Sequence, residues 1–169
     1  VYDCIVAGVP ASTCLVKTKY CTVLPADIRL AAAEVELADL SHRERRLKDA
    51  LDSVKDQFDY VFIDCPPSLG QLTVNALTAC DTVLVPMQCE YYSLEGLSQL
   101  MTSVRAVKRA MNPDLDIEGI LLTMYDGRTN FCAQVAEEVR RHFPGKVFST
   151  VIPRNIRLAE APSHGIPVT

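Results

Sequence analysis

A short apolar segment that ends in an acid and two prolines constrains the fold of this chain more than any other feature. Residues 60–63 read Tyr-Val-Phe-Ile, and such β-branched and aromatic residues are typical of a buried strand. Asp64 follows this run, and Pro66 and Pro67 cannot donate backbone hydrogen bonds to a neighbouring strand. The sequence therefore predicts a strand over Tyr60–Asp64 that delivers a carboxylate to its C-terminal end.

Short strand-like runs alternate with helical patterns along the rest of the chain. This alternation is typical of βαβ units around a parallel sheet. The predicted fold class is therefore α/β, with a parallel sheet flanked by helices on both faces. The other predicted strands are Cys21–Leu24, Thr82–Pro86, Gly119–Met124 and Val147–Ile152.

Three helices are predicted from caps and from the spacing of apolar residues. Ser41 and Glu44 have the spacing of a capping box, and the helix that they begin should run to about Gln57. Ser93 is the expected N-cap of a second helix. A third helix carries apolar residues at helical spacing and should end near Pro144: Phe131, Val135 and Val139.

Composition limits the classes of function. At 169 residues the chain has the length of one domain, and a net charge of −4 argues against nucleic-acid contact over the whole surface. Any contact with DNA would need a local basic patch. No run approaches the ~18 apolar residues of a membrane span and no signal-peptide pattern opens the chain, so we expect a cytoplasmic protein without membrane attachment. The seven cysteines are scattered, without a CxxC pair, and are expected to be reduced thiols.

Asp64 is the candidate catalytic residue. At the end of a buried strand its carboxylate can hold a magnesium-bound water beside phosphate oxygens, whereas the alternative role is a cap on the following turn. A phosphate-binding loop that ends in Gly-Lys-Ser/Thr does not occur in these 169 residues. Half of a nucleotide site can therefore be identified from the sequence, with Mg²⁺ as its predicted metal.

The residues after this acid form a candidate switch loop. Pro66 and Pro67 restrict the backbone, and Ser68 can cap the next helix. Gly70 permits the close approach of a ligand or of another backbone. Such a loop could respond to the γ-phosphate of a nucleotide, although a stiff connector explains the same residues equally well.

Two further strand ends carry arginines. Arg128 follows the strand that is predicted to end at Met124, and Arg154 and Arg157 follow the last predicted strand. Ligands of open α/β sheets bind along the carboxyl edge of the strands, so we expect these side chains on that edge. The alternative for each arginine is an ordinary solvated surface charge.

Four segments in the same order along the chain resemble the ParA/Soj chromosome-partitioning ATPases. The similarity covers Pro25–Thr169, which is nearly the whole chain. The segments are Asp-Cys-Pro-Pro-Ser-Leu-Gly at 64–70, Cys-Glu-Tyr-Tyr-Ser-Leu-Glu-Gly-Leu at 89–97, Arg-Thr-Asn at 128–130, and the stretch from Ile152 to Gly165.

This resemblance implies a deviant Walker-A ATPase with a P-loop NTPase-like sheet, which binds ATP with Mg²⁺ and closes as a homodimer. The dimer would bind DNA without sequence preference, associate with the nucleoid in the cytoplasm, and be stimulated by a ParB/Spo0J-like partner. By resemblance, Asp64 corresponds to the Walker B acid. The positions that match those around the adenine are Met124, Pro153 and Arg154, and those implicated in DNA binding are Arg128 and Arg157.

The resemblance also leaves two segments unmatched. The family's Lys-Gly-Gly-Val-Gly-Lys-Thr-Thr segment would precede Val1, and its C-terminal helix would follow Thr169. Residues 1–169 are therefore expected to form a single, partial nucleotide-binding domain that is incomplete at both ends and inactive on its own. One alternative is a MinD-like positioning ATPase, which a C-terminal membrane-binding amphipathic helix would distinguish. Another is a non-catalytic interaction module that retains the sheet.

Overall fold

The computed structural model describes residues 1–165, 167 and 168, and helices alternate with strands from residue 71 onwards. The helices are Tyr2–Ile5 (α1), Ala11–Cys14 (α2), Leu30–Glu36 (α3), Arg46–Asp52 (α4), Gln71–Ala79 (α5), Tyr91–Ala110 (α6), Asn130–His142 (α7) and Ile156–His164 (α8). Short 3-10 turns occupy Leu37–Asp39 and Lys55–Gln57. The strands are Val16–Lys17 (β1), Thr22–Val23 (β2), Thr82–Gln88 (β3), Asp116–Tyr125 (β4) and Val147–Pro153 (β5).

These elements form two units. Unit 1 consists of residues 1–81 and 103–115. Unit 2 consists of residues 82–102 together with the described residues from 116 onwards. The helix α6 therefore contributes its first part to unit 2 and its last part to unit 1.

Unit 2 is built on a parallel sheet of three strands in the order β3-β4-β5. Val85 of β3 lies opposite Ile120 of β4, Met87 lies opposite Leu122, and β5 pairs in parallel with the other side of β4. Parallel neighbours need a crossover connection, and α6 and α7 follow β3 and β4 in the sequence. The predicted α/β class, with a parallel sheet flanked by helices, is confirmed.

One face of this sheet forms the core of unit 2. Because side chains alternate along a strand, Val85 and Met87 share this face with their partners on β4. They pack with buried residues of the two crossover helices: Leu97, Met101, Val135, Ala136 and Val139. On the other face of β3 the exposed residues are Leu84, Pro86 and Gln88. A proline fits here because β3 is an edge strand of the described sheet.

Unit 1 is a group of short helices with a two-stranded antiparallel hairpin, β1-β2. Its main core joins α1, α3, α4 and α5 through Ile5, Ala33, Leu37, Leu47 and Ala76. A smaller buried cluster contains Cys4, Ala11 and Val54. Helices of four to nine residues are marginal on their own, so this packing is what stabilises them.

The strand predicted over Tyr60–Asp64 does not form. Tyr60 and Phe62 are 82% and 86% exposed, and no strand among residues 1–165, 167 and 168 pairs with this segment. The prediction was wrong because a strand needs a neighbouring backbone to satisfy its N–H and C=O groups. The segment predicted at Cys21–Leu24 does contain a strand, β2, but it belongs to the antiparallel hairpin.

Two of the three predicted helix starts are displaced. The capping box at Ser41 does not form: residues 41–45 make a turn in which His42 has φ 53°, and α4 begins at Arg46. Ser93 lies inside α6 rather than at its cap. The third helix, α7, ends at His142 as its apolar spacing predicted. Within the described part of the chain, no helix combines the length and apolar character that a membrane crossing requires.

Candidate functional site

Asp64 lies in unit 1, in a segment after residues 60–63 that forms neither helix nor strand. The residue is exposed, and within the described part of the chain no ion pair or hydrogen bond holds its carboxylate. The neighbouring Cys65 thiol donates to the carbonyl oxygen of Ile63 at 3.6 Å. Burial and then the charge of Asp64 raise the pKa of Cys65, which favours its neutral form. Asp64 is therefore an exposed carboxylate that a cation from solvent can reach.

The loop after Asp64 is tied to the start of α5. The Thr73 hydroxyl donates to the carbonyl oxygen of Ser68 at 2.5 Å, so the loop is fixed to the first turn of the helix. The prediction that Ser68 caps the helix is wrong, because Gly70 occupies the N-cap position and no side chain of the cap accepts a hydrogen bond. The carboxylate of Glu34 on α3 instead accepts hydrogen bonds from the first backbone N–H groups of α5, at 2.7 Å from Gln71 and 3.3 Å from Leu72.

A buried amide fixes α5 one turn later. Asn75 is only 1% exposed, and its Oδ1 accepts from the backbone N–H of Leu47 at 3.1 Å. Its Nδ2 donates to the carbonyl oxygens of Arg43 at 2.7 Å and Gln71 at 3.0 Å. The side chain thus joins α5 to the turn before α4 and to α4 itself. The helix that follows the candidate switch loop is held at two points by polar side chains.

A cavity of about 290 Å³ lies at the carboxyl ends of the strands in unit 2. Met124 and Arg154, both predicted near the adenine, line it, and Pro153 immediately precedes Arg154 at the end of β5. The remaining lining residues are Gln88, Cys89, Glu90, Asp126, Thr129, Phe131 and Cys132. The structure therefore brings residues at or next to the carboxyl ends of β3, β4 and β5 to one concave site. Sites of this size and position are common binding sites for small ligands.

Met124 has an unusual backbone at this cavity. Its φ of 48° lies in the left-handed region, where residues other than glycine are uncommon. The end of β4 is held next to the end of β5, since the backbone N–H of Arg154 donates to the carbonyl oxygen of Tyr125 at 3.1 Å. Conformations of this kind cost about 1 kcal/mol or more and concentrate at functional sites. The residue with the strained backbone, Met124, is therefore also a residue that lines the cavity.

The β3 side of this cavity was not predicted from the sequence. Gln88, Cys89 and Glu90 end β3 and lead into α6, and Gln88 and Glu90 also line a neighbouring cavity of about 440 Å³ along β3. The signal that could have identified these residues was the predicted strand Thr82–Pro86, because ligands of open α/β sheets bind at the carboxyl ends of the strands. Burial, followed by the adjacent Cys132, raises the pKa of Cys89 to about 11, so this thiol is a poor nucleophile.

The two arginines predicted to bind DNA have different environments. Arg128 follows β4 and is 88% exposed at its side chain, yet it forms an ion pair with Asp126. The hydrogen bonds from Arg128, helped by its charge, lower the pKa of Asp126 to about 2. Arg157 stands in the first turn of α8, where its backbone N–H donates to Asn155 Oδ1 at 2.9 Å, and the residue is exposed. Both lie just beyond strand ends of the same sheet.

The residues present fit a magnesium ion that is held mainly by other ligands. Among residues 1–165, 167 and 168 there is no group of three or more His, Cys, Asp or Glu side chains that could enclose a metal. Mg²⁺ in nucleotide sites keeps several waters and takes one or two carboxylates together with phosphate oxygens. One exposed, unpaired carboxylate, Asp64, is compatible with that mode of binding.

Comparison with known proteins identifies close sequence relatives. Residues 1–117 match the family model described as AAA domain. The chain is 62% identical over 146 residues to the sporulation initiation inhibitor protein Soj of Bacillus subtilis, a match that covers 86% of this chain and 58% of that protein. It is 56% identical over 150 residues to the chromosome partitioning protein ParA of Myxococcus xanthus, covering 89% of this chain and 53% of that one. The chain thus spans a little over half the length of these two relatives.

A solved structure shows the same fold with nucleotide. Cobyrinic acid a,c-diamide synthase from Mycobacterium smegmatis, solved with bound ADP and magnesium, superposes with a TM-score of 0.85 at 37% identity. The match covers 98% of this chain and 73% of that chain. The similarity extends over both units described above.

Proposed function

The chain belongs to the ParA/Soj family of chromosome-partitioning ATPases, and from that premise we propose that the protein is an ATP hydrolase of DNA segregation. It binds ATP with Mg²⁺, closes as a homodimer and binds DNA without sequence preference on the nucleoid. A ParB/Spo0J-like partner stimulates hydrolysis and release. The same proposal places the protein in the cytoplasm, without membrane attachment.

The observation that carries the nucleotide assignment is the strained backbone of Met124 at the cavity that Arg154 also lines. An apolar side chain and a planar guanidinium both suit the face of an aromatic base. The polar groups around them, such as Glu90 and Asp126, can orient the edge of a base by hydrogen bonds. The adenine is therefore assigned to Met124, Pro153 and Arg154.

Asp64 is the residue of this chain that would hold Mg²⁺, through a water molecule. When bound, Mg²⁺ offsets negative charge on the phosphate oxygens. The exposed carboxylate meets no competing cation in the described residues, so none of its charge is already neutralised by the protein. The loop of Pro66, Pro67, Ser68 and Gly70 connects this acid to α5 and is proposed to act as the switch.

The phosphate-binding residues are the part that residues 1–169 do not contain, since no Gly-Lys-Ser/Thr loop occurs in them. We therefore expect no hydrolysis by this chain alone. We define the extended protein as these residues extended N-terminally by the βαβ half of the family that contains its Lys-Gly-Gly-Val-Gly-Lys-Thr-Thr segment. The proposal is that the extended protein hydrolyses ATP.

The test is nucleotide binding and phosphate release by the extended protein, compared with residues 1–169. The extended protein should bind a fluorescent ATP analogue and release phosphate in a Mg²⁺-dependent reaction that DNA and a ParB-type protein accelerate. Met124→Ala should weaken binding of the analogue. Met111→Ala is the matched control, because Met111 is 38% exposed against 40% for Met124 and does not line the cavity.

Two results would contradict the proposal. An extended protein that binds no nucleotide would indicate a non-catalytic module that retains the sheet. An extended protein that hydrolyses ATP only with lipid vesicles, and without any response to DNA, would indicate a MinD-like positioning ATPase.

A further inference from the structure

A carboxylate from a distant part of the sequence caps the helix that follows the candidate switch loop. Glu34 Oε2 accepts from the backbone N–H of Gln71 at 2.7 Å, and Oε1 accepts from that of Leu72 at 3.3 Å. These are the first two amides of α5, and the positive end of the helix dipole adds to their attraction for an anion. The contact spans 37 residues of sequence, so it joins α3 to the end of the loop.

Gly70 makes room for this carboxylate. A Cβ on Gly70 would lie 2.6 Å from Glu34 Oε1 and 2.7 Å from Oε2, closer than real contacts allow. The backbone of Gly70, with φ −83° and ψ −167°, is one that alanine also adopts. A side chain at this position would therefore meet the Glu34 carboxylate, whereas the backbone conformation itself does not require glycine.

The capped amides are directly connected to the candidate magnesium acid. Only residues 65–70 separate Asp64 from α5, and Pro66 and Pro67 restrict the backbone of that short connection. At the α5 end of the loop, the Thr73 hydroxyl donates to the carbonyl oxygen of Ser68, and the Glu34 carboxylate lies next to Gly70. A displacement of the first turn of α5 must therefore also displace the loop.

We propose that Glu34 is a positioning residue that fixes the start of α5 and, through it, the loop that carries Asp64. The role assigned to Asp64 rests on the proposed function, whereas the contact between Glu34 and α5 does not. The hydrogen bonds that Glu34 makes within the described residues go to backbone amides, so it acts on the reaction through the loop. Gly70 is part of the same arrangement, because its lack of a side chain leaves space for the Glu34 carboxylate.

The first test measures the contact itself. Hydrogen exchange of the Gln71 and Leu72 amides should become about tenfold faster in Glu34→Ala, a factor that corresponds to about 1.4 kcal/mol. Glu36→Ala is the matched control on the same helix, because the Glu36 carboxylate accepts from the Tyr2 hydroxyl and not from α5. Unchanged exchange at Gln71 and Leu72 in Glu34→Ala would overturn the proposal.

The second test uses the steric relation with Gly70. Gly70→Ala should displace the carboxylate and accelerate the same two amides. Because both substitutions break one contact, the double variant should exchange no faster than the more affected single variant. Fully additive effects would show that the two residues act separately and would overturn the proposal. Exchange is compared at a temperature where melting curves show every variant folded.

The third test asks whether the contact positions Asp64. In the extended protein, Glu34→Ala should raise the Mg²⁺ concentration for half-maximal turnover about tenfold, and Glu34→Gln, which keeps one acceptor oxygen, should restore part of this loss. Faster exchange with an unchanged Mg²⁺ dependence would show a structural cap only and overturn the positioning role. A wild-type extended protein without any ATP hydrolysis would instead overturn the proposed function, and with it the positioning role, while leaving the exchange result intact.

Discussion

Asp126 holds the side chain of Arg128 in a two-point ion pair. Arg128 Nε donates to Oδ1 at 2.9 Å, Nη2 donates to Oδ2 at 2.8 Å, and the backbone N–H of Arg128 also donates to Oδ1 at 3.1 Å. The geometry is the one that guanidinium groups also use to bind phosphate. In the proposed DNA-binding state, Asp126 and a DNA phosphate would therefore compete for the same donors of Arg128.

Asp126→Asn should strengthen DNA binding by the ATP-bound extended protein. The substitution removes the competing charge, so affinity should rise a few-fold and log K should fall more steeply with log salt, by up to about 0.9 for one added phosphate contact. A salt titration on a short duplex measures both. Glu138→Gln, which removes the acid of the Glu138–Arg141 pair on α7, is the control and should change neither. Unchanged affinity in Asp126→Asn would show that Arg128 does not contact DNA.

Acidification should not reproduce this gain. The pKa of Asp126 is lowered from its ordinary value of 3.8 to about 2, so the pair contributes fully above the ordinary value and is lost only as the pH falls through about 2. Between pH 8 and pH 5 the carboxylate stays charged. The affinity ratio between Asp126→Asn and wild type should therefore be the same at both pH values, and a ratio that approaches one at pH 5 would contradict the assigned pKa.

The double variant Arg128→Ala/Arg157→Ala should weaken binding to every duplex alike. Both residues lie just beyond strand ends in unit 2, and contacts with phosphate carry no sequence information. Each lost contact should reduce the salt slope by about 0.9. ATP-dependent dimerisation should persist.

The measurement for this pair of arginines is a salt titration on two unrelated duplexes, with and without ATP. Arg105→Ala/Arg109→Ala, which removes two charges from α6, is the control for a general loss of positive charge. Wild-type affinity in the Arg128/Arg157 variant, or a loss confined to one duplex, would show that DNA is contacted elsewhere.

Asp64→Ala should abolish most ATP turnover in the extended protein while leaving its melting temperature nearly unchanged. The carboxylate is exposed and makes no hydrogen bond in the described residues, so its loss should cost little stability. Steady-state rates beside thermal melts separate the two quantities. Asp59→Ala, another exposed aspartate five residues earlier, is the control. A loss of about 1 kcal/mol in stability with unchanged turnover per folded molecule would identify Asp64 as a cap instead.

Asn75→Ala should destabilise the protein by about 2–3 kcal/mol, because it leaves the buried N–H of Leu47 and the carbonyl oxygen of Arg43 without their partner. Urea unfolding monitored by circular dichroism measures this change. Asn130→Ala, at the exposed start of α7, should cost under about 0.5 kcal/mol. Equal effects of the two substitutions would show that the Asn75 contacts contribute nothing beyond those of a surface amide.

Local sequence patterns were sufficient for the three strands of unit 2 and for α7. The strands of the parallel sheet were predicted from β-branched runs, and α7 from the spacing of Phe131, Val135 and Val139. These patterns succeed because the alternation of a strand and the period of a helix are set by neighbouring residues. The same reasoning located Met124 and Arg154 at the carboxyl edge of the sheet, where the cavity lies.

The same kind of pattern failed where an element depends on a partner far away in the sequence. Tyr60–Asp64 has the composition of a buried strand, but composition cannot provide the neighbouring backbone that a strand requires. Ser68 has the right chemistry for a helix cap, but Glu34 takes that role across 37 residues. No local pattern specifies which of several carboxylates will reach a given helix end.

The sequence by itself therefore determined the family, the parallel α/β sheet and the identity of the residues at the strand ends. The tertiary structure alone decided which residues are paired, capped or strained: Arg128 pairs with Asp126, Glu34 caps α5, and Met124 has a left-handed backbone. The physical reason is that periodicity is a property of adjacent residues, whereas hydrogen bonds and ion pairs between side chains depend on distances that only the packed chain sets.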